Sequence, residues 1–288
     1  MAGGILVLDK PTGWTSHDAV AKLRGILKER RIGHGGTLDP MATGVLPVFV
    51  GRATRAVELF EAADKTYVAG VRLGLTTDTE DSTGRVLRTC PVSVTRQQLQ
   101  QALAALVGAQ MQIPPMYSAI KVGGKKLYEL ARAGKTAERT ARPITVYAAE
   151  LLEFEGAHAR FRVRCSKGTY VRSLCRDLGE RLGCGGCMDS LRRTQAGAYT
   201  EADAVTLEQL QQAADPWALL RPVDSLFGDL PAVAVDAAAA ARIRNGAAVT
   251  QAGPEGRCRV YGPDGAFLMV GQMQDGVLKT VKSFFEVN

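Results

Sequence analysis

One stretch of this 288-residue chain sets residue types in an order that could do chemistry. It runs Gly33-His34-Gly35-Gly36-Thr37-Leu38-Asp39-Pro40-Met41-Ala42-Thr43-Gly44, dense in glycine, with a single carboxylate between Leu38 and Pro40. The stretch holds no second acid, so it offers no general acid/base pair. A lone carboxylate in apolar company suits a covalent nucleophile. It suits equally well a turn aspartate that accepts backbone N–H groups ahead of a proline. The residues alone leave both readings open.

Other arrangements are broken. Asp78-Thr79-Glu80-Asp81-Ser82-Thr83-Gly84 has the look of a calcium loop, but Thr83 and Thr89 stand where the glycine and the bidentate glutamate must be. Lys10-Pro11-Thr12-Gly13 lacks the spacing of a phosphate-binding loop. Cys184 and Cys187 form one CxxC without a second pair or a nearby histidine, and His17, His34 and His158 are scattered. No metal site and no phosphate cradle for a cofactor is expected from these residues.

The elements that must hold the Asp39 segment are legible around it. Residues 4–8 read as a short buried strand, and Thr15 or Ser16 caps a helix with Ala19, Val20, Leu23, Ile26 and Leu27 on one stripe. Strands are predicted over 66–74, 144–154 and 159–165. In the last, Phe161, Val163 and Cys165 alternate with Arg160, Arg162 and Arg164, so that one face packs and the other presents guanidinium groups. Capping boxes at Thr95–Gln98 and Thr206–Gln209 open two helices, the first with Leu99, Ala102, Leu103 and Leu106 inward and a stop at Gly108. Residues 173–183 form a third, with Leu174, Leu178 and Leu182 four apart. Past Leu230 come a strand at 232–235, a helix capped by Asp236, and a meander over 257–261, 266–273 and 277–287. The predicted class is α+β with a mainly antiparallel sheet core, divided into domains 1–229 and 230–288.

Composition narrows the function classes. Apolar residues at 46 % and charged ones at 23 % describe a soluble globular protein and exclude disorder, collagen-like repeats and disulfide scaffolds. No apolar run approaches the ~18–20 residues of a membrane span, and six cysteines are too few for a staple framework. A cytoplasmic protein with reduced thiols and no membrane partner is expected. The formal charge of +7 is concentrated mid-chain. Residues 121–142 carry seven basic groups against Glu129 and Glu138, and 160–176 carry six with no acid. Such clustering predicts a polyanion-binding face.

The Gly33–Gly44 segment resembles the signature of the TruB family of tRNA pseudouridine synthases. Lys10-Pro11-x-Gly13-x-Thr15-Ser16 resembles the family's first motif, and Asp64-Lys65-x-Tyr67 with Thr77-Asp78-Thr79-x-Asp81 its second and the linked loop. Pro114-Pro115-Met116-Tyr117-Ser118-Ala119 with Gly124-Lys125-Lys126-Leu127-Tyr128-Glu129 resembles its RNA-gripping insertion, about residues 113–145. Ser166-Lys167-Gly168-Thr169-Tyr170-x-Arg172 and Leu191-Arg192-Arg193 resemble the remaining ones, and Gly186-Cys187 departs from the family's usual Ala-His.

The resemblance implies the pseudouridine synthase fold, a PUA-like RNA-binding domain at 230–288, and isomerisation of uridine 55 in the T loop of tRNA. It implies Asp39 as nucleophile, Arg172 as that carboxylate's arginine, and Tyr67 as base-stacking residue and proton acceptor. It implies His34, Tyr170, Leu191 and Lys10 as further substrate contacts, with tRNA as the partner of a monomer. Leu38 and Pro40 would keep the nucleophile dry. The competing class is a binding-only tRNA-folding chaperone, which would have no use for Asp39, Tyr67 and Arg172. An aspartate-nucleophile hydrolase would need a second acid or metal ligands that are not there.

Overall fold

A computed structural model describes residues 3–285. They divide into two compact units: the chain up to Pro40 with Val45–Glu61 and everything from Ala198 on, and Met41–Gly44 with Ala62–Gly197.

In the first unit the strand Gly4–Lys10 is buried along nearly its whole length. The helix Ser16–Leu27 follows, with Thr15 as N-cap: its hydroxyl accepts from the Asp18 amide while the Asp18 carboxylate accepts from Thr15. Those Thr15 hydrogen bonds hold the Asp18 carboxyl below the usual carboxylate range. The strand Ile32–His34 pairs antiparallel with Thr43–Val50, Ile32 opposite Val50 and His34 opposite Val48. Thr43–Val50 escapes a sequence reading because Pro47 interrupts a short apolar run that carries no alternation.

Further along, Ala232–Ala234, Gly256–Tyr261, Phe267–Gln274, Val277–Ser283 and Val249–Thr250 form a five-stranded sheet in that order. Its first pair is parallel and the others antiparallel. The helix Ala237–Arg244 is capped by Asp236 as predicted and closes the core with Ile243 among Val233, Val260 and Leu268. The last predicted strand ends at Ser283, and residues 286–287 of that prediction lie outside the described residues. Packing crosses the anticipated boundary at 229/230: Phe227 meets the rings of Phe267 and Phe284, and Tyr261 Oη donates to Asp224 Oδ2 at 2.7 Å.

The second unit is built on an antiparallel run, Gly186–Ala196, Lys65–Leu73, His158–Cys165, Arg142–Glu155 and Gly108–Gln112, in that order. Gly186–Ala196 also takes Thr43 and Gly44 as parallel neighbours, which makes the sheet mixed. Helices Arg96–Ala104 and Val171–Arg181 bury Leu99, Leu103, Leu174 and Leu178. Gly186–Ala196 is invisible in the sequence because two bulges, at Met188/Ser190 and Arg193/Gln195, destroy its alternation. The helix predicted from residue 173 starts two residues earlier, which puts Arg172 in its first turn.

The arginine strand alternates as predicted, but its outer face is not a bare cationic stripe. Arg160 meets Glu153 at 2.9 Å, Arg162 meets Glu150 at 2.7 Å and Arg164 meets Asp64 at 3.0 Å. Glu150 and Glu153 lie on the neighbouring strand Arg142–Glu155 and Asp64 just precedes Lys65–Leu73, out of view of a one-strand reading. The face is zwitterionic, so its net charge is smaller than that strand alone suggests.

The thiols are packed. Burial pushes Cys165 and Cys187 up to about 11 and raises Cys175 as well. Since unfolding returns these thiols toward 9, their contribution to stability is intact below pH 9 and is lost as pH rises toward 11. With a chromogenic disulfide reagent at about pH 8, half-buried Cys90 should react in the native protein. The buried Cys165, Cys175, Cys184, Cys187 and Cys258 should react only on unfolding.

Candidate active site

The Asp39 loop is clamped on both sides. Ser16, almost completely buried, donates through Oγ to the Leu38 carbonyl at 3.2 Å and accepts from the Leu38 amide at 2.9 Å. The Pro40 carbonyl accepts from the Gly13 amide at 2.8 Å and from Lys10 Nζ at 3.5 Å. The residues on either side of Asp39 are thereby anchored, and Asp39 itself is half-buried. Two glycines allow the loop to lie where it does. A Cβ on Gly35 would enter the Phe60 ring, and one on Gly44, at φ +97°, would enter the Arg193 carbonyl.

Lys10 is 0 % exposed, and its ammonium also donates to the carbonyls of Pro11 at 2.9 Å and Trp14 at 2.6 Å. It ties the loop from within. Leu38 is buried as expected, but Pro40 is exposed, so Asp39 is shielded on one side only. His34 lies half-buried with its ring edge-on to His17, centroids 5.7 Å apart.

Tyr67, Leu191, Tyr170 and Arg172 belong to the second unit. Tyr67 and Leu191 stand on adjacent strands, Tyr67 opposite Arg193 and Leu191 opposite Ala69, and each is 8 % exposed. Tyr170 is the N-cap of Val171–Arg181 and has no side-chain cap bond. Instead, its backbone is held by Gln112, which accepts from the Tyr170 amide at 2.8 Å and donates to its carbonyl at 3.1 Å. Gln112 is itself buried, at the end of an edge strand that sequence reasoning does not find.

Arg172 is 6 % exposed, and its guanidinium is seated in three directions. Nη1 donates to the Thr79 carbonyl at 3.2 Å and lies 3.9 Å from Asp81 Oδ2; Nη2 donates to the Tyr117 carbonyl at 2.8 Å. The stretch that fails as a calcium loop is thus an arginine seat. Asp81 Oδ1 accepts from Thr79 Oγ1 at 2.8 Å, the Thr83 amide at 3.0 Å and Thr83 Oγ1 at 2.6 Å, which fixes its other oxygen toward Arg172. Sequence reasoning gives Asp81, Gln112 and Ser16 no role at the site; Asp81 and Ser16 leave a signal, as the last positions of the Thr77-Asp78-Thr79-x-Asp81 and Lys10-Pro11-x-Gly13-x-Thr15-Ser16 runs, and Gln112 leaves none.

The basic insertion also takes form. Lys121–Val122 and Lys125–Lys126 make a hairpin closed by Gly123 and Gly124, both with positive φ, as a two-residue turn of this hand requires. The helix Leu127–Arg132 follows, where Lys126 and Arg132 each lie 5.4 Å from the centre of the Tyr128 ring. Lys121, Lys125, Arg132 and Lys135 are all exposed.

Residues 24–171 match the TruB family pseudouridylate synthase N-terminal domain, 172–227 the tRNA pseudouridylate synthase B C-terminal domain, and 231–281 the pseudouridine synthase II TruB C-terminal domain. The chain belongs to the TruB family of pseudouridine synthases. It is similar to a curated TruB relative named tRNA pseudouridine synthase B from Aromatoleum aromaticum, 49 % identical over 93 % of this chain and 88 % of the relative. A second of that name, from Ralstonia pickettii, is 51 % identical over 84 % and 78 %. Among solved structures it resembles a chain of a Cbf5–Nop10–Gar1 complex at 29 % identity and TM-score 0.75, over 99 % of this chain and 85 % of that one. A chain of an H/ACA RNP bound to a substrate RNA aligns at 26 % identity and TM-score 0.74, over 99 % and 86 %. TruB membership makes the chain an enzyme that isomerises uridine to pseudouridine, on the α+β pseudouridine synthase fold. No helix among the described residues is long and apolar enough to cross a membrane.

Proposed function

We propose that the substrate is tRNA and the target uridine 55 of its T loop, and that Asp39 carries the chemistry. The observation behind this is the clamp on the Asp39 loop. A carboxylate held half-exposed between two anchored peptides, in a loop stripped of side chains by glycine, suits attack on a nucleotide brought close to the backbone. The relatives' shared name supports tRNA, and the exposed cations of the insertion supply a matching electrostatic grip.

The reaction is balanced within the nucleotide. N1–C1′ breaks, the uracil turns, C5–C1′ forms, C5 gives up its proton and N1 takes one. The chain's part is to extract the base, hold it, and supply the carboxylate. In this reading Tyr67 stacks on the uracil and takes the C5 proton, Tyr170 and Leu191 line the extruded nucleotide, and His34 fills the space it leaves. Arg172 is the fixed cation of the reaction. Residues 230–288 add affinity as a PUA-like RNA-binding domain, and 113–145 close on the T arm. A cytoplasmic monomer acting alone fits the reading.

Mapping pseudouridine in an unmodified tRNA transcript after treatment tests the assignment. Conversion confined to position 55 is expected, and conversion elsewhere would refute it. The insertion's role has its own test. Lys121, Lys125 and Lys135 changed together to Gln should flatten the log–log salt dependence of tRNA affinity by roughly 0.7–0.9 for each phosphate no longer neutralised. An unchanged slope and affinity would place the hairpin in solvent.

A further inference from the structure

Beyond the residues assigned to the reaction, one buried carboxylate lies directly beside the Arg172 seat and is so far without a role. We infer that Glu80 is a positioning residue for the reaction: it locks the segment that seats Arg172 onto the helix that carries Arg172. The inference rests on the reading of Arg172 as a catalytic residue.

Glu80 stands between Thr79 and Asp81, which between them provide a carbonyl and a carboxylate to the Arg172 guanidinium. Its own side chain, in a residue only 9 % exposed, reaches from the same connection to the helix. Oε2 accepts from Ser173 Oγ at 2.6 Å, and Oε1 accepts from Arg176 Nη1. Ser173 is fully buried in the first turn of Val171–Arg181, next to Arg172, and Arg176 lies one turn further on. Arg176 is in turn fixed by Asp177, whose Oδ1 accepts from Nε at 2.9 Å and Nη2 at 2.7 Å. Arg172 therefore reaches from the helix to residues 79 and 81, and residue 80 reaches back to the helix just beyond Arg172. The two sets of bonds close a ring.

Two further observations favour a positioning task over ordinary packing. The helix has no acidic residue in its first turn and no side-chain N-cap, while Arg172 brings a positive charge to its positive end. Glu80 supplies the missing negative charge from outside the helix. Its backbone also sits at φ +64°, a region that glutamate seldom occupies, and is held there by the Met188 amide donating to its carbonyl at 3.0 Å. A residue kept in an unfavourable conformation by bonds to both backbone and side chain marks a place where geometry is being enforced.

The test is Glu80→Gln, with single-turnover pseudouridine formation measured at saturating tRNA, well below the variant's unfolding temperature. The amide keeps the size but loses the charge toward Arg176 and the helix end. The rate constant should fall about tenfold, with tRNA affinity within about twofold of the parent. If folded Glu80→Gln keeps the parent's rate constant, Glu80 only stabilises the fold and the inference is overturned. Ser173→Ala decides the matter if Glu80→Gln does not fold. It removes one hydroxyl from the same arrangement and should slow the step about threefold; a parental rate overturns the inference. Arg172→Lys run in parallel separates the two claims. If it keeps the parental rate, the catalytic reading of Arg172 fails and takes this inference with it. If it is slow while Glu80→Gln is not, only the inference fails.

Discussion

Asp39→Asn should leave the protein folded and bound to tRNA but unable to make pseudouridine. The asparagine has the same shape, and backbone groups, Ser16 and Lys10 anchor the residues on either side of it. The loop should therefore keep its conformation while losing its nucleophile. The loss of turnover should be at least ~10,000-fold, as for removal of a covalent nucleophile elsewhere. Affinity for tRNA, measured by filter retention, should stay within about a factor of ten, a window of ~1.4 kcal/mol. Chromatography of nucleosides after digestion checks the product. Retained turnover would mean that the carboxylate doing the chemistry lies elsewhere.

Arg172→Lys is expected to be nearly as damaging, although the charge is kept. The Arg172 guanidinium spans the Thr79 carbonyl, the Tyr117 carbonyl and the Asp81 carboxylate at once, using the directions of its planar fork. An ammonium on a shorter stem cannot reach all three. One buried carbonyl would be left without its donor, and the charge would settle away from its present place. A displacement of about 1 Å in a positioned group can cost on the order of a hundredfold in rate, and that is the expected loss in the single-turnover step. Because Arg172 is 6 % exposed, its replacement should change tRNA affinity little. A parental rate for folded Arg172→Lys would remove the guanidinium from the mechanism.

How much of this is legible in the sequence depends on how local the signal is. Thr15, Thr95, Thr206 and Asp236 announce helix starts because a cap and its partner lie three residues apart, and the structure has all four. The strand His158–Cys165 is legible because its two faces differ in polarity. Gly186–Ala196 is not, since each bulge shifts the alternation by one residue, and Gly108–Gln112 carries too little apolar sequence to read as a strand. The pairing of Arg160, Arg162 and Arg164 with acids of other strands is non-local by nature, so the sequence exaggerates that charge.

The candidate site divides along the same line. The Gly33–Gly44 motif identifies the Asp39 loop, yet Ser16 as its anchor and Lys10 as its buried tie emerge only when 10, 13, 16, 38 and 40 are brought together. Asp81 is visible as a residue but not as a partner of Arg172, 91 positions away.

The most direct measurement is tritium release from a T-arm transcript that carries C5-tritiated uridine only at the target position, with enzyme in excess. Pseudouridine has the mass of uridine, but forming the C5–C1′ bond must expel the C5 hydrogen. The wild-type chain should release one tritium per transcript in a single exponential phase. Transcript that is bound and released with its tritium intact would contradict this mechanism and leave a protein that grips tRNA without acting on it.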